Sequence, residues 1–547
     1  MITKRETPLG WWSPGEEPPA KGADEIKKAL MRISRPLYLM DIDGKPAAAT
    51  TGSAILGEKS KRESTPYPIK AYAPALPLEN LGDKAFKARH QLQYPYIAGA
   101  MANGITSVEM VSAMAENGMI GFFGAGGLSV ARVETSLVEL KKRLGSLPFG
   151  SNLIHSPGDP DLEMAVVNLY LKHGLRRISA AAFMRMTIAL VYYRIKGIHR
   201  DCSGDIIAPN QVIAKVSRIE VAKQFFSPPP EKLVTALLEK GLITGEEAKL
   251  SQYIPMAQDL TAEADSGGHT DNRPALALLP TMLDLKNEFN ERFQYQLPLC
   301  VGLAGGIATP QATAAAFQMG AAYVLTGSVN QSCLESATSD DVKTLLAQAE
   351  QADVAMAPAA DMFELGARVQ VLKRGTMFPV RGEKLYKLYK NYNSFQEIPK
   401  HQQEEIETKL LLTSFEENWN QTRAFFLERN IKEVERAEKD PKHKMSLVFR
   451  SYLGLSSRWA ITGEIKRRMD FQIWCGPGMG AFNQWTRGSF LEYPENRRVV
   501  DVAMNLLAGA AICTRTGWLR SQGADLDYRI ENFSPMERKE LLEMISM

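Results

Sequence analysis

The sequence predicts an α/β protein built on a (β/α)8 barrel, with a small N-terminal subdomain and a helical C-terminal domain. Three observations predict it. Between residues 95 and 336, eight short apolar runs alternate with amphipathic stretches. Glycine-rich turns follow several of those runs. After residue 370, Glu, Lys, Arg and aromatic residues recur at helical spacing instead. Strands that alternate with helices pair in parallel, and eight such units at this length close into a barrel rather than an open sheet.

Residues 1–90 are Pro-rich and read as an irregular subdomain, with one hairpin turning at Asp43-Gly44. The barrel is expected over 91–370. Its strands are read at Pro95–Gly99, Met119–Gly124, Pro148–Leu153, Arg176–Ala181, Val212–Ser217, Asp259–Glu263, Leu299–Ala304 and Ala322–Thr326. Helices are expected near 107–117, 129–144, 160–173, 187–196, 219–255, 274–292, 310–319 and 328–336. Ile198 to Asn210 reads as an inserted hairpin turning at Ser203-Gly204, and Pro228-Pro-Pro230 breaks the helical stretch that follows. Residues 371–547 read as the helical domain. In it, Gly476-Pro-Gly-Met-Gly480 stands between Trp474 and Trp485, a packing turn first and a groove lining second.

Composition excludes some functions. The 547 residues carry 65 Lys+Arg against 62 Asp+Glu, and the densest basic cluster, Lys466-Arg467-Arg468, reads as a solvated helix face, so no nucleic-acid footprint is present. Cys202, Cys300, Cys333, Cys475 and Cys513 lack metal-ligand spacing and read as reduced thiols, with Cys300 in the core. No metal site is expected. The N-terminus lacks an apolar signal core and no run reaches 18 apolar residues, so a cytoplasmic location is expected.

The chemistry should sit at the C-terminal strand ends of the barrel. After strand six comes Ala264-Asp-Ser-Gly-Gly-His269-Thr270. Gly267 and Gly268 let the backbone approach a flat ligand, and His269 can move protons near neutral pH. The bland alternative is a glycine turn with a solvated histidine. Gly305-Gly306 after strand seven and Gly327-Ser328 after strand eight read as a phosphate cradle. Asn152 and Lys215 point from strands three and five and suit a heterocycle, although each alone is more often structural. His155 is a second, weaker histidine on the same rim. Gly124-Ala-Gly-Gly127 lacks the third glycine of a dinucleotide fingerprint, because position 129 is Ser.

Longer motifs add a resemblance. Gly99-Ala-Met-Ala-Asn-Gly104, Asn152-Leu-Ile-His-Ser-Pro157, Ala214-Lys-Val-Ser-Arg218, Ala262–Pro274, Ala357-Pro-Ala-Ala-Asp-Met-Phe363, Lys373-Arg-Gly-Thr376, Ser456-Ser-Arg-Trp459, Gln472-Ile-Trp474 and Gly480–Trp485 occur in order. Together they resemble the trans-acting enoyl reductases of bacterial polyunsaturated-fatty-acid and polyketide synthases, within the FMN-dependent nitronate monooxygenase-like superfamily. The resemblance implies an FMN-binding barrel reduced by NADPH, acting on an enoyl thioester carried by an acyl carrier protein. It implies that Gly305, Gly306, Gly327 and Ser328 hold the FMN phosphate, with Thr326 also binding the cofactor. Gly99, Ala100, Met101, Ala102, Asn152, Lys215, Glu263, Gly267 and Gly268 would surround the rest of FMN, and His269 would be catalytic. Asp265-Ser266 departs from the Glu-Ala common in nitronate monooxygenases, which favours the reductase branch. A nitronate-oxidising enzyme and a flavin-free scaffold subunit are the alternatives, and a homodimer is possible.

Overall fold

The computed structural model describes residues 8–57, 67–156, 159–527 and 532–546. Pro157, which ends one of the motifs above, and Met1–Thr7 lie outside them.

The N-terminal region is a six-stranded antiparallel sheet, not an irregular segment with one hairpin. Its strands are β1 Gly10–Ser13, β2 Ala20–Lys21, β3 Leu37–Ile42, β4 Lys45–Ala49, β5 Ser53–Leu56 and β6 Tyr67–Ala73, in the order β2-β4-β3-β6-β1-β5. The expected hairpin is β3–β4, where Asp43 (φ 55°) and Gly44 (φ 74°) adopt the left-handed pair that a two-residue turn requires. The rest escaped because β1 pairs with both β5 and β6, which lie some 40 to 60 residues away. Runs of two to four residues carry too little period-2 pattern to be seen.

The eight expected barrel strands all form, as β7 Tyr96–Ala98, β8 Ile120–Phe123, β9 Gly150–Ile154, β10 Arg177–Ala181, β13 Gln211–Val216, β14 Asp259–Glu263, β16 Cys300–Ala304 and β17 Val324–Thr326. They pair in parallel, and β17 closes on β7 with Val324 opposite Tyr96 and Thr326 opposite Ala98. The inserted hairpin is β11 His199–Arg200 with β12 Ile206–Ile207. Pro228–Pro230 separate a helix ending at Phe226 from one beginning at Glu231.

The N-terminal end of the barrel is plugged by charge. Asp259 accepts from Arg89 Nη1 and lies 2.9 Å from His90 Nε2, with all three side chains buried. Arg177 Nε donates to His90 Nδ1 at 3.3 Å. Nδ1 is therefore the acceptor, so His90 is neutral and gives its Nε2 proton to Asp259.

Residues 354–358 and 368–372, inside the range expected for the barrel, form strands of a separate small sheet. β18 Val354–Pro358 and β19 Arg368–Leu372 pair antiparallel, and β19 also takes β15 Gly268–His269, giving the order β15-β19-β18. Beyond them the helices divide between two cores. Helices between Phe378 and Thr462 enclose a separate cluster with Phe363, Val369, Val371, Leu385, Phe449 and Leu453. The chain then returns to the barrel, with Leu372 N–H donating to the Ile473 carbonyl at 2.8 Å and Trp474 bridging Val371. The last long helix, Val499–Ser521, packs on the barrel helix Pro310–Gln318 and joins the main core. The described helices beyond Leu372 therefore contribute to two cores.

The Val499–Ser521 helix is long and apolar enough to cross a membrane, although Asp501, Asn505 and Arg515 interrupt its apolar run, and 94% of its most apolar window is buried in protein. Its Arg515 donates to the carbonyls of Leu30, Arg32 and Arg35, tying it to the N-terminal region. Arg467 is likewise not solvated. Its guanidinium donates to the Leu411 carbonyl at 2.6 Å.

Candidate active site

A cavity opens where β7, β13, β14, β16 and β17 end. Gly305 (φ 89°) and Gly306 (φ 75°) turn the chain out of β16. A Cβ at Gly305 would stand 2.7 Å from the Ala264 carbonyl carbon, so only glycine lets the ends of β14 and β16 approach this closely. At Gly306 and Gly327 an added Cβ would meet nothing within 4 Å. Their backbone faces open space, which suits an anion held by N–H groups. The Pro310–Gln318 helix begins just beyond, capped by Thr309, and adds its N-terminal dipole.

The opposite wall is the Gly99–Met101 turn. Gly99 N–H donates to the Thr326 carbonyl at 2.9 Å, and Thr106 Oγ1 holds the turn through the Gly99 carbonyl and the Met101 N–H. Lys215 and Glu263, on adjacent strands, form a 2.7 Å ion pair with both side chains under 20% exposed. Ser266 Oγ is buried and has no hydrogen-bond partner. A buried hydroxyl without a partner calls for an acceptor or donor from a ligand.

The Gly-Gly-His loop is fixed by β19. Gln370 Nε2 donates to Asp265 Oδ1 at 2.8 Å and to the Ser266 carbonyl at 2.9 Å, and Asn272 Nδ2 also donates to Asp265. His269 pairs with Val369 along the strand, and its Nε2 lies 3.2 Å from Asp361 Oδ1. Desolvation pushes the His269 imidazole down, but the hydrogen bond and charge of Asp361, with Glu263 adding to them, outweigh it. The net shift is upward, so the ring holds its proton more tightly than an ordinary histidine.

Of the residues expected from sequence, Gly99, Ala100, Met101, Lys215, Glu263, Gly267, Gly305, Gly306, Thr326, Gly327 and Ser328 line this one cavity. Ala102, Asn152, Gly268 and His269 stand outside its lining. Asn152 is buried behind the wall, where its Oδ1 accepts from Gly126 N–H at 3.2 Å. His269 sits at the rim, half-exposed. His155 is structural, held 3.0 Å from the Glu163 carboxylate and stacked on Phe183.

The sequence assigns no role to Gln370 or to Asp361, which stands only within the Ala357–Phe363 motif, and it reads Gly476–Gly480 as packing first. The returning chain in fact closes the cradle. Gly476 N–H donates to Ser328 Oγ at 3.0 Å, and Trp474, Gly476 and Gly478 line the cavity. A Cβ at Gly476 would stand 2.9 Å from Gly267 N, and one at Gly267 would stand 2.8 Å from Cys475 N. The two glycine loops thus interlock. The signal available in sequence was the run of three glycines between two tryptophans.

Residues 84–380 match the nitronate monooxygenase family, and residues 392–471 match the inserted helical domain of acyl-carrier-protein S-malonyltransferase. Among curated proteins, a component of the polyunsaturated fatty acid synthase of Thraustochytrium sp. is 41% identical over 91% of this chain and 33% of its own length. Polyketide biosynthesis protein PksE of Bacillus subtilis is 45% identical over 79% of this chain and 56% of its own length. The chain therefore spans between a third and just over half of these relatives. Among solved structures, the enoyl reductase domain of MlnA, from the macrolactin biosynthesis cluster of Bacillus amyloliquefaciens, is 38% identical. It is covered over 99% of its length by 82% of this chain, with a TM-score of 0.77.

Proposed function

The chain belongs to the nitronate monooxygenase family, and from that premise we propose that it is a trans-acting enoyl reductase of polyketide or polyunsaturated-fatty-acid biosynthesis. It would bind FMN, draw electrons from NADPH and act in the cytoplasm on an enoyl thioester held by an acyl carrier protein. The observation that carries the reading is the His269–Asp361 pair at the rim of a glycine-walled anion cradle. The 38% identity to an enoyl reductase domain supports the choice of substrate class.

The residues present fit FMN. Gly305, Gly306, Gly327 and Ser328 would take its phosphate, and the Gly99–Met101 turn and Lys215–Glu263 would flank its ring. The unpartnered Ser266 Oγ supplies a hydroxyl for it. FMN held there would supply hydride-transfer chemistry between NADPH and an electron-poor alkene carbon.

Reduction of an enoyl thioester places a hydride on the β-carbon and a proton on the α-carbon, and negative charge grows on the thioester oxygen between the two events. A donor aimed at that charge lowers the barrier. Asp361 occupies His269 Nε2, which leaves Nδ1–H to donate to the thioester oxygen or to the α-carbon. Lys215 sets a positive charge in the cavity, and Glu263 holds it in place. Gln370 keeps Asp265 and Ser266, and so the loop bearing His269, from drifting.

The test is turnover of NADPH with a crotonyl thioester by the FMN-loaded protein. Reduction to the butyryl thioester is expected. Oxygen consumption with an alkyl nitronate instead would assign it to the oxidase branch, and failure to bind FMN would leave a scaffold role.

A further inference from the structure

A broad open groove lies between the β18–β19 pair and the Phe378–Asn391 helix, outside the cavity above. Its apolar floor includes Met356, Pro379 and Val380, and Val380 is 63% exposed. Its rim carries Arg368, Lys384 and Lys387. The segment 368–390 holds seven basic residues and one acidic one, a net +6 in a chain whose total is +3. Four of the seven are neutralised within the fold. Arg368 pairs with Glu383, Arg374 with Asp353, Arg381 with Asp470 and Lys384 with Glu405. Lys387 and Lys390 are exposed and form no ion pair among the described residues. Two ammonium groups free of ion pairs, Lys387 lining the groove and Lys390 three residues along the same helix, with Val380 exposed in the groove, suit an acidic partner.

Strand register ties this groove to the active site. Arg368 adjoins Val369, which pairs with His269, and Met356 pairs with Gln370. Residues alternate faces along a strand, so Met356, Arg368 and Gln370 share one face of the small sheet. Gln370 carries that face to the cavity wall at Asp265 and Ser266, and Met356 and Arg368 carry it on into the groove. The same small sheet therefore borders the groove through Met356 and Arg368 and braces the loop that bears His269 through Gln370.

We infer that this groove docks an acidic, helical face of the acyl carrier protein, with Lys387 and Lys390 meeting its carboxylates and Val380 its apolar residues. The inference rests on the carrier-protein reading above and specifies where that carrier binds. Charge at an interface rim acts on encounter and fades with salt, whereas it leaves the chemistry alone.

The test compares the double variant K387E/K390E with the FMN-loaded wild type on two substrates, crotonyl carrier protein and crotonyl pantetheine. Both lysines are exposed, so the variant should melt as the wild type does. The expected result is a KM for the carrier-bound substrate raised about tenfold or more, equivalent to about 1.4 kcal/mol of docking energy. The dependence of that KM on ionic strength should flatten, and kcat and KM on crotonyl pantetheine should be unchanged. V380D should do the same by placing a carboxylate at the one exposed apolar contact. An unchanged KM for the carrier thioester, or equal loss on both substrates, would overturn the docking site. If neither thioester is reduced even by wild type, the reductase reading fails separately. Anisotropy of a labelled carrier domain then decides the docking alone: weaker binding by K387E/K390E upholds it and equal binding refutes it.

Discussion

His269 Nε2 lies 3.2 Å from Asp361 Oδ1, and the two residues reach each other across strands β15 and β18–β19 rather than along the chain. Asp361 fixes which imidazole nitrogen is free and raises the affinity of the ring for its proton. A proton donor is active below its pKa and fails as pH rises through it. Asp361→Asn should therefore move the alkaline fall of kcat to lower pH. Above both the new and the wild-type pKa, kcat should lie below wild type by about tenfold for each unit of displacement. FMN content should not change. A pH profile identical to wild type would remove Asp361 from this role, and an unchanged rate for His269→Ala would remove His269 itself.

The interlocked glycine loops make a second expectation. Gly476→Ala places a Cβ 2.9 Å from Gly267 N, a backbone atom that cannot rotate away. The cradle at Ser328 should open, and the Kd for FMN should rise about tenfold or more. Equilibrium titration of the apo-protein with FMN measures it, with circular dichroism confirming that the fold persists. Unchanged FMN affinity would show that the returning chain does not contribute to the cradle.

Lys215 and Glu263 form the third. Lys215→Met leaves Glu263 less than 20% exposed and without its cation, at a cost of about 1–3 kcal/mol in stability. Adding Glu263→Gln should restore most of the melting temperature but not the rate of flavin reduction by NADPH, because the cavity charge is still missing. Thermal melts and stopped-flow absorbance separate the two effects. Full recovery of the reduction rate in the double variant would make the pair purely structural.

How far the site was legible in the sequence follows from contact distance along the chain. The eight barrel strands are local apolar runs bounded by glycine or helix starts, and Gly305-Gly306 and Gly327-Ser328 announce themselves at strand ends. What escaped depends on partners far away. Asp361 acts on His269 from 92 residues along, and Gly476 reaches Ser328 from 148. Trp12, buried against the Thr51 carbonyl, belongs to a sheet whose strands are too short to show a period. Asn152 stands outside the cavity lining, its Oδ1 accepting from a neighbouring backbone N–H, a use no sequence pattern distinguishes from ligand binding.

The charged plug at the barrel floor gives a pH dependence of stability. Burial pushes the Asp259 carboxyl up, but Arg89 and His90 outweigh it and hold it below the usual range. Burial, against the pull of Asp259, holds His90 below its own usual value. Each group binds protons more readily unfolded than folded, so each contributes stability that is lost as pH falls. Loss should begin below about pH 6.5 through His90 and continue below about pH 3.9 through Asp259. His90→Gln should delete the upper step and leave the lower one. Asp259→Asn, which strands the buried Arg89 charge, should cost about 3–5 kcal/mol. Melting temperature against pH reads both, and a flat profile between pH 7 and 4 would contradict the plug.

The central claim, that this cavity holds FMN and serves enoyl reduction, is tested most directly by an anaerobic absorbance titration of the FMN-reconstituted protein. NADPH is added first and crotonyl carrier protein second. The account predicts flavin bands that bleach with NADPH and return in full on adding the thioester, with butyryl product formed in equal amount. Bands that bleach but return only when oxygen or an alkyl nitronate is admitted would contradict it.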